Sequence, residues 1–276
     1  MDRRVALVTG GSKGIGFGIA HALARRNYDL VLVARDLADL ERAKDLLKHD
    51  HPTIEVHVVS ADLSQSEGYT RIVELLDAHY GQLDVHVNNA GDFKMLPAER
   101  DGLKRDSPEQ LAQDGTQMYL VNAVPPSIFA HVLHRLQLAA PNPKQLDVLS
   151  SAALEIFPGN NPYGPTKSAH ERLSLQVAAD SNGKIKTYRV YPSNTDTRIV
   201  AEFKVPKMTP VQVGEESIAM LDDDTATDLY MKMTAHGLVK ATTTALYEDV
   251  DGLTLVRNHR DALAKSILPV VKQGHQ

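Results

Sequence analysis

Hydrophobic and polar positions along the chain alternate between two periods. Short β-branched runs at 5–9, 30–34, 56–60, 85–88, 146–150 and 185–191 read as buried strands, with 253–257 as a weaker seventh. Between them, apolar residues recur at helical spacing over 16–26, 37–48, 68–80, 111–138 and 168–179. Strands alternating with helices imply right-handed crossovers and a parallel sheet covered on both faces. The expected fold is therefore α/β: a doubly wound, mostly parallel seven-stranded sheet with helices on both faces, of the Rossmann type. Residues 198–235 have poor periodicity and are expected to form an irregular segment on the substrate side, with one or two short helices.

The 276 residues suit a single domain, since no repeat, low-complexity tract or Pro/Gly/Ser-rich linker divides them. Net charge is −5 with both signs intermixed, so no basic block follows a nucleic-acid backbone and such a partner is not expected. Cysteine is absent, which excludes disulfides and cysteine-ligated zinc and suits a reducing cytoplasm. The apolar stretch near the N-terminus is too short for a signal peptide or a membrane span. The twelve histidines show no convincing metal spacing, and His131 with His134 reads as an interface or surface pair. Asp222, Asp223 and Asp224 read as an exposed loop or helix cap.

Chemistry enters with VALVTGGSKGIGFGIAHAL, which sets Gly10, Gly14 and Gly16 between the first strand and first helix. Glycines there allow a tight turn and close approach of a pyrophosphate, whose charge the helix N-terminus stabilises. At the end of the second strand, an acid about twenty positions past the glycines would serve the ribose of NAD. Ala34 stands in that place and Arg35 follows, a guanidinium suited to a 2′-phosphate; Lys13 can reach the same group, while Asp36 remains near enough for a ribose. NADP(H) is expected over NAD. Asn27, just past the first helix, is expected to take a positive φ.

Tyr163 and Lys167 lie about one helical turn apart and share a face if the segment is helical. An ammonium beside a phenol favours the phenolate, which makes tyrosine a usable proton donor or acceptor near neutral pH. Pro162 and Pro165 place Tyr163 at a helix start. Pro125 and Pro126 remove helical donors after Asn122, predicting a kinked helix with free carbonyls near 121 and 122.

These residues, in this order from Val5 to about Thr197, resemble the short-chain dehydrogenase/reductase family in its compact branch. TGGSKGIG resembles that family's cofactor turn, which adds Ser12 and Ile15 to the candidates. Asp62 and Leu63 resemble its adenine-contacting pair, and Asn88-Asn89-Ala90-Gly91 the segment that stabilises the sheet and borders the ribose. Asn122, Ser151, Tyr163 and Lys167 match its catalytic set. The resemblance implies that Tyr163 exchanges a proton with the substrate oxygen, Ser151 positions that oxygen, Lys167 holds the nicotinamide ribose, and Asn122 anchors a water relay. Ser150 competes with Ser151, which aligns with the second serine of the family's pair and is preferred. After Pro192, Ser193 stands where the family has glycine and must either strain its backbone or shift the loop; Thr195 and Thr197 would contact the carboxamide or phosphates.

The implied activity is hydride transfer between NADP(H) and a small to medium carbonyl or alcohol. Two alternatives stand beside it: an idle NADP-binding regulator, and a 3-oxoacyl carrier-protein reductase. The broad apolar faces of 117–138 and 168–179 resemble those that build the family's oligomers, implying a homodimer or homotetramer.

Overall fold

The computed structural model describes residues 3–93, 107–155, 162–197, 206–223, 226–234 and 236–242. The first half follows the expected alternation: β1 (Val5–Thr9), α1 (Gly14–Ala24), β2 (Asp29–Ala34), α2 (Leu37–Asp50), β3 (Val56–Ser60), α3 (Glu67–His79) and β4 (Val85–Asn88). The second half holds α4 (Pro108–Asn122), α5 (Val124–Val132), α6 (His134–Ala139), β5 (Lys144–Val148), α7 (Tyr163–Asp180), β6 (Lys186–Pro192), α8 (Pro210–Asp223), β7 (Asp228–Thr234) and β8 (Gly237–Ala241). One eight-stranded sheet runs in the order β3-β2-β1-β4-β5-β6-β7-β8, parallel except for the antiparallel β7–β8 pair. Strand order reverses between β1 and β4, which opens a crevice at their carboxyl ends where α/β sheets bind ligands.

Two packed layers hold the sheet. Ala6, Val8, Leu30, Leu32, Val85, Val87, Leu146 and Val148 face α1, α2 and α8. Val5, Leu7, Val31 and Val33 face Ile72, Leu76, Phe129 and Leu133 on the other side. Asn27 takes φ 57° after α1, as its position predicts. No helix among the described residues is long and apolar enough to cross a membrane.

Several expectations are corrected. Among the described residues the sheet has eight strands, not seven, and its seventh is Asp228–Thr234, within the segment expected to be irregular. The weaker candidate at 253–257 lies outside the described residues. That segment also contains α8, a helix of 14 residues. Its start carries a capping box: Gln212 N–H donates to Thr209 Oγ1 at 3.1 Å, and Thr209 N–H to Gln212 Oε1 at 2.8 Å, with Pro210 at the first helical position. Helix α8 then crosses α1 so closely that a Cβ on Gly18 or Gly214 would collide with the other helix's backbone. Asp222 ends α8 in an ion pair with Arg26; Asp224 lies outside the described residues.

The single helix expected over 111–138 is three helices. Its first break falls at Ala123, because Pro125 and Pro126 occupy the first turn of α5 and cannot donate back to the carbonyls of Val121 and Asn122. The second falls at Leu133, with φ −96° and ψ −9°. Strand β5 stops at Val148, short of the expected serines.

Candidate active site

Two adjoining cavities of about 320 and 480 Å³ lie along the crevice, and Lys13 and Gly91 line both. The first is bordered by Gly10, Ser12, Ala34, Arg35, Asp62, Leu63 and Ala90. The second is bordered by Gly14, Ile15, Asn89, Asp92, Tyr163, Lys167 and Thr197. Most of the residues expected at the cofactor thus converge on one trough, from the end of β2 to the start of α7.

Its phosphate end is built by backbone. Gly10 and Gly14 have φ of 64° and 59°, a region costly for any residue with a Cβ. Gly16 is not a lining residue; it lets α1 approach so closely that a Cβ would overlap the Gly10 carbonyl and the Asn89 amide. Helix α1 begins without a side-chain cap, and its first residues, Gly14 and Ile15, line the trough. Exposed amides, positive-φ glycines and a helix N-terminus fit a pyrophosphate.

The end of β4 is tied to this turn. Thr9 Oγ1 donates to the Val87 carbonyl at 3.1 Å and accepts from the N–H groups of Asn89 (2.9 Å) and Ala90 (3.0 Å). Asn89 Nδ2 donates to the carbonyl of Thr9 at 2.8 Å. Asp62 Oδ1 accepts from Ser64 N–H at 2.9 Å, and these local hydrogen bonds hold its carboxyl below the usual range. Arg35 is exposed at the trough's end, but Lys13 is already paired with Asp39 at 2.7 Å, and Arg42 pairs with the same carboxylate.

Helix α7 starts at Tyr163, with Pro162 before it, as the flanking prolines predict. Lys167, 4% exposed, donates from Nζ to the Val148 carbonyl at 3.0 Å, and its ammonium lies 6.0 Å from the centre of the Tyr163 ring. Burial lowers the Lys167 pKa to about 8, with the Asp147 charge opposing. Burial raises the Tyr163 pKa, opposed by a hydrogen bond with Ser150. The expected depression of the phenol by Lys167 is therefore not present in this arrangement. Phe93 packs edge-on against Tyr163, with centroids 4.8 Å apart.

The two candidate serines have different surroundings: Ser150 is the one that opposes the rise in the Tyr163 pKa. Ser150 caps a short 3-10 turn over Ser151–Ala153 and accepts from Ala152 N–H at 3.2 Å; Ser151 is buried inside that turn. Asn122 is fully buried. Its Nδ2 donates to the Asp92 carbonyl (2.9 Å) and to Thr166 Oγ1 (3.1 Å), and its Oδ1 accepts from Asp92 N–H (2.7 Å). The amide thus clamps the loop after β4 to α7, a role that the expected water relay does not include.

Pro192 ends β6 and is buried outside the two linings. Thr195 is also buried; its Oγ1 donates to the Ser193 carbonyl at 3.3 Å, and its backbone bridges to Met208. Ser193 avoids strain: its φ is not positive, and its N–H donates to the Met231 carbonyl at 2.8 Å. Sequence reasoning missed Phe93, Thr166, Asp39 and the buried pair Asp147–His170. Only Asp39 carried a signal, as an acid in the first turn of the helix after Arg35.

Comparison with known proteins agrees with this geometry. Residues 4–207 match the family model described as short chain dehydrogenase. An uncharacterised oxidoreductase of Listeria monocytogenes is 30% identical over 206 residues, covering 72% of this chain and 77% of the relative. An NADPH-dependent reductase of Bacillus subtilis is 36% identical over 89 residues, 32% of this chain and 34% of that protein. Among solved structures, an alcohol dehydrogenase from the archaeon Thermococcus sibiricus, complexed with 5-hydroxy-NADP, superposes with a TM-score of 0.73 at 24% identity, covering 83% of this chain and 95% of that one. The L-sorbose reductase of Gluconobacter frateurii gives 0.68 at 22% identity, with coverages of 80% and 91%. With its mostly parallel sheet, glycine turn and matched span, the chain belongs to the short-chain dehydrogenase/reductase family of oxidoreductases.

Proposed function

We propose that this protein is an NADP(H)-dependent reductase of small to medium ketones, or the corresponding alcohol dehydrogenase in reverse. The observation that carries the reading is Tyr163 with buried Lys167 one turn on, both bordering a cavity that adjoins the glycine turn. A bound nicotinamide supplies or accepts the hydride. Tyr163 hands its hydroxyl proton to the substrate oxygen in reduction and takes it back in oxidation. Ser150, rather than Ser151, donates to that oxygen and fixes its distance from the phenol. Lys167, one turn from Tyr163, would donate from its ammonium to the ribose of a bound nicotinamide, and its charge would favour the phenolate in the reacting complex. Asn122 holds Asp92 and Thr166 so that the loop after β4 keeps its course beside Lys167.

Arg35, just past β2, with Ala34 in the place of an acid, supports NADP(H) over NAD. The archaeal and sorbose-reducing neighbours are described with NADP-type cofactors, and a 3-oxoacyl carrier-protein reductase of Brucella melitensis with NAD. The apolar side chains Tyr119, Val124, Val132 and Leu175, exposed on α4, α5 and α7, fit assembly into a homodimer or homotetramer.

The test is a screen of ketones and alcohols with NADPH and NADH side by side. NADPH-linked turnover of at least one ketone is expected, and Tyr163→Phe should lower kcat by about 10²-fold or more while cofactor still binds. Full activity in that variant, or tight NADPH binding without turnover across the screen, would overturn the reading.

A further inference from the structure

The sheet face that α7 covers is polar. Strand side chains alternate, and the register aligns His86 with Gln145 and Thr187, and Asn88 with Asp147 and Arg189, on one face. All six are buried. The opposite face of the same strands carries Val85, Val87, Leu146, Val148, Tyr188 and Val190 in the apolar core. A carboxylate in such a layer is costly unless hydrogen bonds and an opposite charge compensate it.

Asp147 has the hydrogen bonds. Its Oδ1 accepts from Asn88 Nδ2 at 2.9 Å and lies 2.9 Å from His170 Nε2; its Oδ2 accepts from Gln145 Nε2 at 3.0 Å. His170 follows Lys167 by about one turn, so both side chains reach from α7 toward β5. Lys167 Nζ donates to the carbonyl of Val148, the residue after Asp147. Catalytic-site lysine and buried acid are thus held against the same stretch of strand.

We propose that Asp147 is a positioning residue: its buried carboxylate is the counter-charge that keeps Lys167 an ammonium, and His170 is the neutral donor that locks the carboxylate in place. This rests on the carbonyl-reductase reading only for the use to which the ammonium is put.

Burial drives Lys167 toward neutrality, and the Asp147 charge is the influence that resists it. Burial lowers the His170 pKa as well, against the pull of Asp147. His170 holds the Asp147 carboxyl low by its hydrogen bond and, when protonated, by its charge; a neutral imidazole donates one N–H and cancels no charge, which leaves Lys167 as the cation on the same helix. The other groups around them are engaged or neutral. Arg189, opposite Asp147 on β6, turns to Thr187, Thr227 and Asp228. Tyr191 on β6 donates to Glu171 of α7, and Glu155, after the 3-10 turn, accepts from Tyr230. His86 on β4 is held neutral by burial, α4 brings the amide of Asn122, His131 of α5 is exposed, and Asp92 and Tyr163 border the cavity.

The experiment is NMR titration of the full chain labelled with ¹³C at lysine Cε and aspartate Cγ, with Lys167 identified by its loss in Lys167→Arg and Asp147 by its loss in Asp147→Asn. In Asp147→Asn the Lys167 midpoint should fall by about one pH unit or more, whereas in His170→Gln, which retains the carboxylate, it should stay within about 0.3. In the wild-type protein the Asp147 carboxyl carbon should shift at the Lys167 midpoint. A midpoint unmoved in Asp147→Asn overturns the proposal; so does a wild-type carboxyl carbon that ignores the lysine, a readout that survives if the variants do not fold. Neither measurement uses a substrate, so failure here is distinct from failure of the carbonyl screen. Where turnover is found, the alkaline limb of kcat should move with the Lys167 midpoint.

Discussion

Ser150 opposes the burial-driven rise in the pKa of Tyr163, while its neighbour Ser151 is enclosed in a 3-10 turn. Strand β5 ends at Val148, so Ser150 is the last extended residue before the chain turns, and its Oγ accepts from the N–H of Ala152. Two adjacent serines of equal chemistry are separated by backbone conformation alone.

Alanine substitution distinguishes them. Ser150→Ala should lower kcat by about 10²-fold, the usual cost of removing one donor to a developing oxyanion. Ser151→Ala should change kcat less than about threefold, with any loss appearing as stability. Steady-state kinetics on the two variants decide the assignment; the reverse order of effects would return the role to Ser151.

Cofactor choice should answer to three charges. Arg35→Leu is expected to raise the Kd for NADPH by about tenfold or more and leave NADH within about threefold, since a charge-assisted contact to the 2′-phosphate is lost. Asp39→Asn should do the opposite. It releases Lys13 from its 2.7 Å pair, and NADPH should bind up to about fivefold more tightly. Quenching of protein fluorescence on titration with each nucleotide measures both.

Stability should fall in mild acid. His86 is completely buried beside Phe129, and burial lowers its pKa from 6.5 to about 4. Between those values the unfolded chain binds a proton that the folded one refuses, so stability is full above pH 6.5 and is lost as pH drops toward 4. Its share of the loss is on the order of 3 kcal/mol. His170, His57 and His51 are lowered in the same direction, also by burial. Urea midpoints at pH 7.5 and pH 5 should differ in the wild type, and His86→Leu should reduce that difference while leaving those histidines' part.

Two glycines should respond oppositely to alanine. A Cβ on Gly214 meets the backbone of Gly18 and Ile19 across the α1–α8 crossing, so Gly214→Ala should cost about 1–3 kcal/mol through forced separation of the helices. On Gly115, within α4, a Cβ meets only Pro162 at 3.7 Å, an ordinary contact. Gly115→Ala should be neutral or stabilise by up to about 1 kcal/mol. Thermal or urea unfolding of both variants tests the pair.

Local signals made much of this protein legible. Periodicity placed β1–β4 and the helices between them, and the strand–glycine–helix order located the phosphate end, because these features need only neighbouring residues to agree. Proline chemistry located the start of α7 and the break at Ala123 for the same reason. The capping box at Thr209 and Gln212 was equally local but went unread, and the helix it starts falls in the segment expected to be irregular.

What the chain could not declare by itself depends on residues far apart. Strand β7 alternates Leu229, Met231 and Met233 with polar positions but has no valine or isoleucine to mark it, and its place comes from pairing with β6 and β8. The crossing of Gly18 and Gly214 needs both helices present. Lys13 is a free cation in the sequence and a paired one in the fold, because α2 brings Asp39 beside it. Asp147 looks like a misplaced charge within a strand, and only the packing of α7 on β5 supplies His170 and Lys167. Residue type and spacing determined which chemistry was on offer; the tertiary structure decided which serine is enclosed in a turn and which polar groups are buried beside Lys167, since burial and pairing are properties of contacts across the chain.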